Sequence, residues 1–171
     1  MKKPIMIWVL VAILISSIVY SGFATHNWLE GERIRNQTLN DVVNFSNDHL
    51  VELTDMGSVI EYWIEPGTAD ELVMGGALGY VSSARTLYYS SGMLRDLTDD
   101  KKYQSFETAM DNLQAFFTQV NNRSDRKEIL ATYLDVLKQM DEILKRSLPI
   151  DKLTLADAVE LSGLSGNLAW A

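Results

Sequence analysis

Cysteine is absent from the 171 residues, which excludes disulfides, thiolate metal centres and cysteine nucleophiles together. The fold must therefore be held by packing alone. Proline occurs only 3 times, leaving room for long uninterrupted helices. Histidine occurs twice, so a metal site built on several imidazoles has nothing to work with. Positive charge is scarce as well: 15 Lys and Arg stand against 23 Asp and Glu, a formal net charge of -8. Setting aside Lys2 and Lys3, which precede the first acid, leaves -10 on the remainder. Such a body is repelled by nucleic acid and by anionic lipid surfaces. No nucleic-acid partner is expected.

Hydrophobic residues make up 47% of the chain and charged residues 22%, the balance of a folded globular body. The longest uncharged stretch follows Lys3. It runs from Pro4 through Ile5, Ile7, Trp8, Leu10, Ile13, Leu14 and Ile18 to Tyr20, and on to Trp28 before Glu30 ends it. A spanning helix takes roughly 20 apolar residues, whereas the core of a signal peptide has about 7–15. The length favours a retained anchor over residues 4–24. Trp8, Tyr20 and Trp28 stand near its ends, where aromatic rings favour the interface. Bases before the run and acids after it predict a cytoplasmic N-terminus and an extracytoplasmic body. The competing reading is a cleaved leader, since Gly22-Phe23-Ala24 offers small residues at the two positions a signal peptidase reads. The expected organisation is an anchor over 1–29 and an extracytoplasmic helical body over 30–171.

Within that body, helical periodicity dominates and no alternating strand pattern appears. From Ile34 to Ile64, Leu39, Val42, Val43, Leu50, Leu53, Ile60 and Trp63 recur at three- and four-residue steps, predicting one helix with one apolar face. Asn36, Asn40, Asn44 and Asn47 fall on the other face. Pro66-Gly67 stops the segment. Thr68-Ala69-Asp70-Glu71 reads as a capping box for a second helix running to about Leu97. That helix carries four glycines, several serines and three tyrosines, with Arg85 the lone charge between Glu71 and Arg95. Those polar groups make membrane insertion unfavourable, so it is expected to be the buried member of a bundle.

Thr98-Asp99-Asp100 caps a third helix bearing Tyr103, Phe106, Met110, Leu113, Phe116, Phe117 and Val120. A fourth begins after Ser124 with the stripe Ile129, Leu130, Tyr133, Leu134, Leu137, Met140, Ile143 and Leu144. On it, Asp141–Lys145 and Glu142–Arg146 are expected to be surface pairs, worth a few tenths of a kcal/mol each. Leu148-Pro149 ends it, and a short, weaker helix follows over about 154–164. The fold class expected is all-α: an up-down four-helix bundle preceded by a single N-terminal transmembrane helix.

Motifs that carry chemistry are missing. His49-x-x-Glu52 reverses the Glu-x-x-His order of a bundle di-metal site and has no second copy, so no metal and no cofactor are expected. No Gly-x-Ser-x-Gly elbow and no phosphate-cradling loop occur. Gly75-Gly76-Ala77-Leu78-Gly79 lies inside a helical pattern, where each glycine costs about 1 kcal/mol relative to alanine. Gly75, Gly76 and Gly79 are therefore read as points of close helix approach. An alternative makes the same stretch a small-ligand groove, with Tyr80, Ser83 and Tyr88 lining it and Arg85 holding a carboxylate. Three sequons, at Asn36, Asn44 and Asn122, fit an external surface. The function expected is a non-catalytic interaction, accessory or sensing subunit with a protein partner or a second copy of itself. Small-ligand binding and a secreted form after leader cleavage are the alternatives.

Overall fold

A computed structural model describes residues 3–168, with side chains described from 13 onward. The protein is all-α, and among the described residues no strand occurs. The chain divides between Leu39 and Asn40 into two units.

The first unit lies within helix α1 (Lys3–Leu53). From 13 to 29 every residue is exposed, apolar ones included: Ile13, Leu14, Ile18, Val19, Tyr20, Phe23 and Trp28 are each at least 60% exposed. Thr25 and Thr38 return their hydroxyl protons to the carbonyls of Ser21 (2.8 Å) and Ile34 (2.9 Å), one turn back, so neither competes with the helix. Arg33 pairs with Glu30 at 2.6 Å. Among the described residues, no helix is long and apolar enough to cross a membrane. The apolar run expected to do so begins at Pro4, and its portion before Ile13 lies outside the described side chains.

The second unit begins as the remainder of α1, which buries Val42, Ser46, Leu50 and Leu53 at the three- and four-residue steps of one helical stripe. A single helix was expected to continue to Ile64. Instead the chain breaks at Thr54-Asp55 and restarts as α2 (Met56–Trp63). Thr54 folds back on Val51, whose carbonyl accepts from both its amide (3.1 Å) and its hydroxyl (2.8 Å). Asn47, expected on the solvent face, accepts from the Ile150 amide at 2.7 Å.

Gly67, at φ 96, makes the turn after Pro66 in a conformation that only glycine adopts freely. Helix α3 (Asp70–Thr98) follows. Its N-cap is Ala69, with no side-chain cap, and the Thr68 hydroxyl donates to the Tyr62 carbonyl (3.1 Å) rather than closing the expected capping box. Asp99 ends α3 in the left-handed region, its amide on the Arg95 carbonyl at 2.7 Å. Asp100 then caps α4 (Lys101–Asn122), accepting from the Lys102 amide at 3.0 Å. Helix α5 (Arg126–Arg146) and a single 3-10 turn (Ile150–Lys152) lead to α6 (Leu155–Gly166). A full capping box opens α6: Thr154 accepts from the Asp157 amide (3.1 Å) and Asp157 from the Thr154 amide (3.4 Å).

The core is centred on α4, which packs against α3 on one side and α6 on another, while α2 lies on α5. Phe106, Met110, Leu113, Phe116 and Phe117 are fully buried, each contributing on the order of 2 kcal/mol by loss of apolar surface. Ala158, Leu161 and Ser165 are fully buried too, so the final helix is part of the core. Arg126 is 8% exposed and ties two helix ends together. Its guanidinium bonds Asp70 in the first turn of α3 and, at 3.3 Å, the Asn121 carbonyl in the last turn of α4. A cation there also meets the negative end of the α4 dipole.

Candidate functional site

The residues expected to line a groove on α3 do not converge. Tyr80 and Ser83 are buried, Tyr88 is half-buried and Arg85 is exposed. The Tyr80 ring stands between Trp63 (5.5 Å between centroids) and Phe117 (5.0 Å), a core position. Burial, with Asp141 and Asp55 nearby, holds its phenol well above the ordinary range. The Ser83 hydroxyl bonds the Glu52 carboxylate and sits 3.1 Å from the Gly79 carbonyl. On the other side of Glu52, His49 Nδ1 lies 3.4 Å from the same carboxylate oxygen. One turn back from His49 on α1, Ser46 donates to Ser90 at 2.9 Å. The pairings of 52 with 83 and 46 with 90 run in opposite directions, so this part of α1 and α3 are antiparallel and share a seam of hydroxyls. Serine here satisfies buried polar atoms internally, and the seam sets the register of the two helices. Among the described residues, no group of three or more metal-ligating side chains converges.

The glycines divide by what surrounds them. A β-carbon at Gly76 would overlap the Trp63 indole, so Gly76 is the point of close approach. Gly75 and Gly79, expected to serve the same purpose, are exposed with open space around them. They belong instead to an outer face of α3 that also presents Leu78 (52% exposed), Arg85, Tyr89 (61%) and Met93 (50%). Among the described residues, Arg85 makes no ion pair.

A second cluster went unread in the sequence. Asp141, expected on the surface with Lys145, is 3% exposed, and its Oδ2 accepts from the Gly57 amide at 2.7 Å. Its Oδ1 is buried without a hydrogen-bond partner. Desolvation pushes the carboxyl up to about 6; the Gly57 bond and Lys145 oppose that rise, and Asp55 and Glu142 add to it. Lys145 lies 3.7 Å from Asp55 instead, and Lys138 pairs with Glu61 at 2.9 Å. The other expected surface pair also resolves differently: Arg146 reaches Asp157 (2.7 Å) and Glu160 (2.8 Å) on α6. The signal for Asp141 was present, since it stands four residues after Leu137 and three before Leu144, on the buried stripe. An open cleft of about 310 Å³ between α2 and α5 runs past it, lined also by Ser58, Glu61, Lys138 and Lys145.

No protein-family model matches the chain, and no curated protein or solved structure matches it either.

Proposed function

We propose that the protein is a membrane-anchored, extracytoplasmic interaction subunit without catalytic activity: an up-down helical bundle carried on a single N-terminal transmembrane helix. The observation that carries the reading is the exposure of Ile13, Leu14, Ile18, Val19 and Phe23 around α1. Apolar side chains exposed on all sides of a helix favour lipid over water. Lys2 and Lys3 ahead of the run and an acidic remainder behind it favour the body lying outside.

The interaction role rests on the outer face of α3. Leu78, Tyr89 and Met93 share a face with Arg85, which makes no ion pair among the described residues, a patch that a partner helix or a second copy of the chain would cover. The inner face of α3, with Tyr80, Ser83 and Ser90, is spent on the core and the serine seam, which weakens the small-ligand alternative. Purification from membranes in mild detergent tests the role. A stoichiometric companion, or a dimer, is expected with the wild type and is lost in Leu78→Lys with Arg85→Glu. A lone monomer from both chains would contradict it.

A further inference from the structure

Asp141 sits where a short helix meets a break in the chain. The eight-residue α2 is connected to α1 only through the non-helical Thr54-Asp55 step, and the amide of its second residue, Gly57, is held by Asp141 of α5. The approach is close enough to require glycine: a β-carbon at 57 would stand 2.7 Å from Lys138 Cγ, 2.9 Å from Asp141 Oδ2 and 3.0 Å from Lys138 Cα. We propose that Asp141 is a pH-sensitive latch that docks α2 more tightly on α5 when it takes up a proton.

The electrostatics around the carboxyl favour that proton. An ionised carboxylate here is out of water with Oδ1 unpartnered, and burying an incompletely bonded anion is costly. Asp55 at the break, Glu61 on α2 and Glu142 on α5 add negative charge around it. Of the cations nearby, Lys138 is directed to Glu61 and Lys145 to Asp55, and Lys145 opposes the rise without overcoming it. The Tyr80 phenol, facing from α3, stays neutral. Protonation weakens the Gly57 bond, which by itself favours the ionised form, but removes the larger cost of the buried charge, so the net effect is tighter docking. A carboxyl shifted from an ordinary 3.8 up to about 6 makes α2 docking up to about tenfold more favourable at pH 5 than at pH 8, the limit reached when undocking α2 returns the carboxyl fully to water.

Amide hydrogen exchange on the full chain in detergent or nanodiscs tests this, with rates corrected for the intrinsic pH dependence of exchange. Protection of the α2 amides is expected to rise, by up to about tenfold, from pH 8 to pH 5 while α4 does not change. In Asp141→Asn the α2 protection is expected to be the same at both pH values. Unchanged α2 protection in the wild type, or an undiminished pH response in Asp141→Asn, overturns the proposal. If Asp141→Asn does not fold, Asp55→Asn serves: removing that like charge must shift the midpoint of the α2 response to lower pH. A midpoint that does not move also overturns the latch.

Discussion

The indole of Trp63 occupies the space that a β-carbon at Gly76 would fill, so the end of α2 and the first third of α3 meet ring against backbone. The contact explains why helix α3 tolerates a residue that weakens helices. It also separates three neighbouring glycines that look alike in the sequence.

Gly76→Ala is expected to cost about 2 kcal/mol through overpacking against Trp63. Gly75→Ala and Gly79→Ala, at open positions, are expected to gain about 0.5–1 kcal/mol each from helix propensity. Thermal denaturation of the three variants checks the ordering. A neutral Gly76→Ala would mean the ring has room to move.

The seam between α1 and α3 predicts a coupling. Ser46→Ala and Ser90→Ala each remove one partner of a buried 2.9 Å bond and should cost about 1 kcal/mol. The double variant loses the shared bond only once and should cost less than the sum of the two; in each single variant the remaining hydroxyl keeps its own carbonyl, Val42 (2.7 Å) or Leu87 (3.3 Å). Denaturant titration of all four chains in a double-mutant cycle measures this; strict additivity would show that the hydroxyls act independently.

Stability against pH has two limbs of opposite sign. Asp141, raised in the folded state, holds its proton where the unfolded chain has lost it, so stability grows as pH falls from above 6 toward 4. Asp157 is lowered, first by its bond to Thr154, so its contribution is present above the ordinary 3.8 and is lost as pH falls through the folded value. The expected optimum lies between about 4 and 6. Asp157→Asn should weaken the acid limb, and denaturation midpoints from pH 3 to pH 8 would show it. A stability maximum above pH 7 would contradict the assignment for Asp141.

Much of the helical architecture was legible because it depends on local spacing. The stripes of α4 and α5 and the Asp100 cap are visible in single stretches of sequence. The break at Thr54-Asp55 was not, since no proline or turn pair marks it and the Gly57–Asp141 bond links residues 84 positions apart. Asp141 was misread for a related reason: its four-residue spacing to Lys145 suits a surface pair, and although it falls on the stripe between Leu137 and Leu144, spacing alone does not say that α2 covers it. Tyr80 and Ser83 share a helix with Arg85, but periodicity alone does not say which side of a nearly uncharged helix faces the core.

The absence of cysteine provides a direct test of the anchored, outward-facing arrangement. Single-cysteine chains, Ala131→Cys on the exposed side of α5 and Lys2→Cys ahead of the apolar run, would be treated in intact cells with a membrane-impermeant maleimide. The account predicts that Ala131→Cys is labelled at once, that Lys2→Cys is labelled only after permeabilisation, and that both chains stay full-length in the membrane fraction. Labelling of Ala131→Cys only after permeabilisation, or recovery of the full-length chain among soluble proteins, would contradict it.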